Sequence, residues 1–307
     1  MKPVRSLAML ALGLTGAGLS FGQAGLDRAG TAPWIGNLSY TASATASWVE
    51  NISRTSFAPT RKNSDTYALT LGASGHRELA PSWLLEFGAD ADYLAVPAFS
   101  RTEHLVAGPR MALQHKFGLG PLAPVLQFNA AYTYKDARFA ADRGWTAEGG
   151  ARLAKRLLPD LKVAASIQWL DHYAETSTFD IQQRTVSVEA SWDISERWRL
   201  SGSAGRLLGT IVANAAPTVW WNAVSGAFGP AVMGYYTYIP ASTTNLYGPG
   251  WVSYNVEANV DLWSVSLDYA LGDHTSLSLS ASSAFVINRV GVRYPTDSWG
   301  LGLQHRF

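Results

Sequence analysis

From about position 34 onward, apolar and polar side chains alternate with a period of two, in segments of about ten residues that recur to the C terminus. Alternation at 180° per residue marks β-strands with one apolar and one polar face. The first segment, about 34–48, sets Leu38, Tyr40, Ala42, Ala44, Ala46 and Trp48 on one face and Ser39, Thr41, Ser43, Thr45 and Ser47 on the other. The second carries Tyr67, Leu69, Leu71 and Ala73 on its apolar face. Further segments begin near Trp83, Leu105, Leu126, Trp145, Leu161, Val186, Trp198, Val265, Leu277 and Trp299, which makes about twelve strands.

Short connections rich in turn-forming residues, near 80–81, 118–124, 159–160, 194–196 and 272–275, alternate with longer ones near 50–64, 94–103, 136–143, 171–180, 207–250 and 289–297. Five turns on one side and six loops on the other suit an even-stranded, antiparallel up-and-down barrel with both termini on the turn side. Aromatic residues gather at strand ends. Trp48, Tyr67, Tyr93, Tyr134, Trp145 and Trp169 lie at the loop end, and Trp83, Phe117, Trp192, Trp198, Tyr269 and Phe307 at the turn end, as two membrane girdles require.

A lipid-facing Arg or Lys at mid-membrane costs about 2–4 kcal/mol, so charges belong on the other phase. The exceptions Arg77, His115, Arg206 and His305 fall near strand ends, where the cost fades. Pro109 cannot donate to a ladder and predicts a bulge or local distortion. Near Leu262-Trp263 the apolar phase changes from even (Val256, Ala258, Val260) to odd (Val265, Leu267), which predicts a β-bulge.

Composition narrows the class. Of 307 residues, 36 are aromatic and 15% are charged, against about a quarter charged in soluble domains. No stretch beyond the N-terminal segment reaches 18 apolar residues, which leaves a closed barrel as the membrane-crossing form. Lys2 and Arg5 precede an apolar run over 7–21 and the small residues of 22–24, the pattern of a secretory signal peptide over 1–24. A linker over 25–33 then leads into a barrel over 34–307. Removing 1–24 takes away two of 24 basic and none of 23 acidic residues, leaving a formal charge of −1. That balance excludes a nucleic-acid partner. Cysteine is absent, which excludes thiol chemistry. Metal-ligand spacings and phosphate loops are also absent, and no cofactor is expected.

The last nine residues, 299–307, alternate apolar and small or polar positions and end on Phe307. They resemble the assembly signal on the final strand of bacterial outer-membrane barrels. That resemblance implies a Gram-negative outer-membrane location among lipid and lipopolysaccharide, with the barrel assembly machinery as a partner. The residues Trp48 to Asn51, Ser64-Asp65-x-Tyr67 and Ala89 to Tyr93 resemble the opening of β-barrel porins, a likeness covering the first third of the chain. It implies a porin-like protein and names no solute.

On this phase the lumen collects Glu86, Asp90, Asp92, Arg110 and Lys116, then Lys135, Glu148, Arg152, Arg156 and Lys162. The closing strands instead present Ser39 to Ser47 in odd steps and Ser276 to Ser282 in even steps, a neutral hydroxyl wall. Two readings stay open: acidic and basic patches create a transverse field in an aqueous pore, or they pair across a narrow lumen and plug it. The stretch 207–256 has fifty residues without Asp, Glu, Lys or Arg. Its Trp220, Trp221, Tyr235, Tyr236 and Tyr238 are candidates for binding a sugar or aromatic ligand. The alternatives are an extended hairpin packed on its neighbours, or an extra strand pair making fourteen.

Asp90-x-Asp92 and Asp171-His172 loosely resemble the acid and histidine pairs of omptin proteases. Adjacent strand residues point to opposite faces, however, which a working pair does not permit. The phospholipase-type Tyr-His-x-Ser-Asn arrangement is missing. The sequence reads as a non-enzymatic barrel for passive diffusion of small polar solutes, ahead of a non-conducting structural or ligand-binding barrel, and a surface protease last.

Overall fold

The computed structural model describes residues 38–307. The expected signal peptide (1–24), the linker (25–33) and positions 34–37 lie outside the described residues. Twelve strands close into one antiparallel barrel: β1 (Ser39–Val49), β2 (Ser64–Ala80), β3 (Trp83–Ala95), β4 (His104–Lys116), β5 (Val125–Ala137), β6 (Gly144–Arg156), β7 (Leu161–Ala174), β8 (Ile181–Asp193), β9 (Trp198–Ala215), β11 (Val252–Ala270), β12 (Thr275–Asn288) and β13 (Arg293–Arg306). A three-residue strand, β10 (Ala241–Thr243), adds to the edge of β11 only. Between β9 and β10 stand two short helices, α1 (Pro217–Val224) and α2 (Pro230–Tyr238).

The final strand closes the ring, with β13 pairing to β1 from Thr41 opposite Arg306 to Val49 opposite Ser298. Closure leaves no free edge to hydrogen-bond in lipid, the condition for a sheet to cross a membrane. The alternation sorts as the sequence predicts. Tyr67, Leu69, Leu71, Met111, Phe128, Ile167 and Val188 stand exposed on the outer surface. Aromatic pairs tie the girdles: Trp145 stacks on Tyr132 at 5.0 Å, and Trp198 meets Tyr269 at 4.6 Å. The charged exceptions find local partners. His115 packs between Trp83 and Phe117, His305 contacts the Thr275 hydroxyl at 2.8 Å, and Arg206 lies 3.8 Å from Asp261.

Glycines on the outer face make room for large rings. Trp169 of β7 lies across Gly149 of β6, where a Cβ would come within 2.2 Å of the indole. Gly149→Val is expected to displace that ring and to cost about 1–3 kcal/mol by overpacking. The readout is the temperature at which the folded, fast-migrating band is lost on a gel; an unchanged midpoint would mean that the ring moves aside freely.

Three expectations need correction. No bulge occurs at Leu262-Trp263, because β11 keeps one register with both β9 and β12 through that point. What changes there is the medium. Below it the outer face carries Trp263 and Val265 for lipid. Above it that face carries Glu257, Asn259 and Asp261, and the apolar Val256 and Val260 turn inward. A membrane strand needs only about 9–11 residues, so the 19-residue β11 rises out of the bilayer and its polarity inverts.

The local distortion expected at Pro109 is present: the ladder to β5 lapses between Ala107 and Arg110 and resumes in the same register. The connection expected over 289–297 shrinks to 289–292. Pro295 is tolerated inside β13 because β1 ends opposite Ser298, so its missing N–H faces no strand partner on that side. The connection expected from 207 starts only after Ala215. Beyond Gly209 and Ala258, β9 and β11 leave β8 and β12 and continue as a two-stranded ribbon. Gly209 (φ 140°) is required at the departure point, since a Cβ would sit 2.0 Å from the Gln182 carbonyl oxygen.

Candidate functional site

The lumen wall is built from the phase opposite the lipid face, and its charges lie mostly in pairs. Arg110 of β4 reaches Glu86 at 3.0 Å and Asp90 at 2.5 Å on β3. Arg152 meets Glu189 at 3.0 Å, and Asp193 lies 2.5 Å from Arg199 and 4.0 Å from Arg156. Asp92 accepts a 2.5 Å bond from the Thr70 hydroxyl. Lys135 joins Asp142 of the β5–β6 loop at 2.7 Å. Among the described residues, no carboxylate lies within ion-pair distance of Lys116 or Lys162, and no cation within that distance of Glu148. Opposite this wall the hydroxyls form their own ladder: Ser203 with Ser264, and Ser282 with Ser298, each at 2.7 Å.

Water reaches the lumen unevenly. Towards the turn side the side chains of Glu189 and Arg199 are 43% and 49% exposed, whereas Leu84, Glu86, Ala112, Gln127, Ala154 and Ala164 are buried. Towards the loop side His172, Gln183 and Tyr294 are 3%, 4% and 2% exposed. The cause is a closure made by the loops. Residues 50–63 turn back over the mouth, organised by Asn51 (φ 55°). Its side-chain amide donates to the carbonyls of Thr55 (3.0 Å) and Pro295 (2.9 Å), and its oxygen accepts from the Thr55 backbone N–H at 3.1 Å and the Ser53 hydroxyl at 3.4 Å. Asn tolerates the left-handed region well, whereas Arg54 (φ 51°) sits there at a cost of order 1 kcal/mol, held by its surroundings. The Arg54 guanidinium reaches the Val212 carbonyl on β9, four strands away round the ring, at 3.4 Å.

A second arm comes from residues 240–251. Tyr247 donates to the Ile52 carbonyl at 2.9 Å and meets the Phe99 ring at 5.1 Å. Burial pushes its phenol above the ordinary range, so it stays a neutral donor. Leu246 packs with Leu170, Phe179, Ile181 and Val212, joined by Phe139 and Ala141. Segments from five of the six outer connections therefore meet at Leu246 and Tyr247. The β9–β11 ribbon lies within this cap. Asn214 donates to the Ser53 carbonyl at 3.0 Å and accepts from the Ser253 hydroxyl at 2.6 Å, and Asn255 donates to the Asp180 carbonyl.

The aromatic candidates divide. Trp220 and Tyr236 pack with Tyr254 at 5.2 and 5.3 Å, Tyr236 accepts from Asn288 at 3.0 Å, and Tyr235 leans on Tyr236 at 5.4 Å. Trp221 and Tyr238 are 69% and 86% exposed and join no cluster. The 207–250 stretch adds no pair of barrel strands: it begins as a hairpin-like extension of β9 against β11, and the two helices follow. Two helices and the ribbon fold over the mouth because fifty uncharged residues find apolar partners there. The role of 50–63 was not legible in the sequence: its Asn, Ser and Thr residues read as an ordinary exposed loop.

The acid and histidine pair separates as strand geometry demands. Asp171 faces outward to Arg184 at 3.3 Å. His172 faces inward to the Thr146 hydroxyl at 2.8 Å and Asp142 at 3.8 Å. Among the described residues no group of three or more His, Asp or Glu is placed to hold a metal ion.

No protein-family model and no curated protein matches the chain. Solved structures do. The COG4313 outer-membrane channel from Pseudomonas putida F1 superposes with a TM-score of 0.59 at 10% identity, over 90% of this chain and 97% of that one. A TodX monoaromatic hydrocarbon channel mutant (9% identity, 88% of this chain, 89% of that one) and the NanC porin (7%, 86%, 98%) follow, each at a TM-score of 0.42. The chain thus has the fold of outer-membrane β-barrel channels.

Proposed function

We propose that the protein is an outer-membrane channel for passive diffusion of small polar solutes, controlled at its outer mouth. The observation that carries this reading is the polar lumen wall of β6 to β9, where the Arg152–Glu189 and Arg199–Asp193 pairs keep their side chains 24–49% exposed and a serine ladder runs beside them. Lumen charge and hydroxyls suit hydrated solutes, and Glu86, Asp90, Asp92, Arg110, Lys116, Glu148, Arg152, Arg156 and Lys162 are its pore-lining residues. The final strand 299–307 serves as the address for the assembly machinery.

The second reading, a non-conducting barrel, draws on the cap itself, which interlocks five connections. Planar-bilayer recording of the purified, folded full-length protein separates the two. Discrete conductance steps, with slow swelling of liposomes in small sugars, are expected. Silent bilayers after verified insertion of folded protein would sink the channel reading.

A further inference from the structure

Beneath the cap lies a cavity of about 10 Å³, room for a single water-sized group. Its walls are largely apolar, Val260 and Val286 among them, and its polar wall residues are Arg54, Gln183, Tyr294 and Thr296. No carboxylate lines it. Tyr294 and Thr296 stand two apart on β13 and so share a face, opposite Val286 and Ala284 of β12, which wall the same space. Each is 2% exposed, and neither hydroxyl has a hydrogen-bond partner among the described residues. Buried hydroxyls are nearly always paired, so two unpaired ones beside one space are fitted to an incoming acceptor. Arg54 sets the charge of that acceptor. Its guanidinium reaches the Val212 carbonyl at 3.4 Å and lies within electrostatic reach of the Tyr294 phenol, yet among the described residues no carboxylate is within ion-pair distance of it. Gln183 already donates its amide to the Thr210 carbonyl at 3.0 Å.

We propose that this cavity binds a single monatomic anion, chloride in ordinary media, which accepts hydrogen bonds from the Tyr294 and Thr296 hydroxyls and balances the charge of Arg54. Size and sign together select the ion. A carboxylate, a phosphate or a sugar is too large for a space that holds one water-sized group, and Arg54 repels a cation. A water molecule fits and satisfies the hydroxyls, but it leaves a partly buried guanidinium with no counter-charge. The ion joins two parts of the molecule that are distant in sequence: the 50–63 segment through Arg54, and the barrel wall through β13. It therefore latches the cap, and because the site is lost when Arg54 swings away, closure depends on chloride. The effect on conduction rests on the channel reading, whereas the ion site does not.

Two measurements on the folded full-length protein test it. Crystals grown with bromide in place of chloride are expected to show an anomalous peak within hydrogen-bond distance of both hydroxyls; a feature there without anomalous signal, a water only, overturns the proposal. Trypsin reads the latch, because Arg54, Arg61 and Lys62 lie in the segment. At constant ionic strength, with gluconate as a replacement too large for the cavity, cleavage within 50–63 should slow about tenfold when chloride reaches about ten times its dissociation constant. Tyr294→Phe combined with Thr296→Val should remove that dependence, and so should Arg54→Gln, which leaves Arg61 and Lys62 as cleavage sites. The gel shift of the folded barrel serves as a check on each variant. Equal cleavage of the unmodified protein in chloride and gluconate overturns the proposal, as does undiminished chloride protection in either folded variant. In planar bilayers the fraction of time spent open should fall as chloride replaces gluconate. Chloride protection in a protein that never conducts would keep this site and sink the channel reading, whereas conduction with no effect of chloride on cleavage would do the reverse.

Discussion

Replacing residues 52–61 by a short Gly-Ser link is expected to raise the single-channel conductance several-fold and to make the current steady. The 50–63 segment is the innermost part of the closure, and Arg54 extends from it across the lumen to Val212. Its removal leaves the barrel wall intact, because strand pairing begins only at Val49 opposite Ser64. It also releases Tyr247 and Asn214, which use the Ile52 and Ser53 carbonyls as anchors. The single change Asn51→Ala tests the same idea more gently. Four hydrogen bonds converge on that 2% exposed amide, and deleting it strands the Thr55 N–H and carbonyl, at about 1–3 kcal/mol for each buried group left unpaired. That is enough to unlatch a local loop without unfolding the sheet, and frequent brief openings should appear in the current trace. If both variants conduct like the parent, the pore is not controlled by this segment.

Arg110→Ala should produce the largest loss of barrel stability among substitutions in the lumen, about 3–5 kcal/mol. Arg110 serves two carboxylates on the neighbouring strand, and Glu86 has a side chain only 8% exposed. Removing the cation leaves both acids facing each other with little water to screen them. Removing the charges instead is far milder, so the triple change Arg110→Met, Glu86→Gln, Asp90→Asn should recover most of the loss. Urea unfolding of the barrel in lipid vesicles, followed by tryptophan fluorescence, measures both. A single mutant as stable as the parent would show that the lumen there is wet enough to solvate the two acids unaided.

These outcomes bear on the two readings of lumen charge that the sequence left open. Arg110 pairs with Glu86 and Asp90 on the adjacent strand, and Arg152 of β6 reaches over β7 to Glu189 of β8, so the pairing reading holds along the wall rather than across the lumen. Lys116, Glu148, Lys162 and Arg54 remain outside such pairs. Strand alternation tells which face a residue takes, and so it could place Glu86 and Arg110 in the lumen. It cannot tell which neighbour strand brings a partner within 3 Å, since that depends on register. Arg54 lay beyond its reach altogether, because no periodicity governs a loop that folds inward.

The same boundary explains the errors at β9, β11 and β13. The apparent phase break at Leu262 and Trp263 was a true change of surroundings misread as a change of backbone. A strand leaving lipid reverses which face is apolar, and sequence records the reversal without saying which kind it is. Likewise the 210–215 segment of β9 shows little alternation because both faces of its ribbon are covered, α1 and α2 on one side and the inner loops on the other.

By itself the sequence determined the twelve-strand barrel, its closure through the final strand, the lipid and lumen faces, the short-turn side and the long-loop side. All of these follow from the period of two and from the cost of charge and unpaired backbone in lipid, which act on every residue of every strand. Only the tertiary structure decided how the mouth is shut. The inward turn of 50–63, the seat of Arg54, the meeting of five connections at Leu246 and Tyr247, and the unpaired hydroxyls of Tyr294 and Thr296 depend on contacts between segments up to 244 residues apart. Such contacts are chosen by shape and hydrogen-bond geometry at single sites, and they leave no repeating signal along the chain.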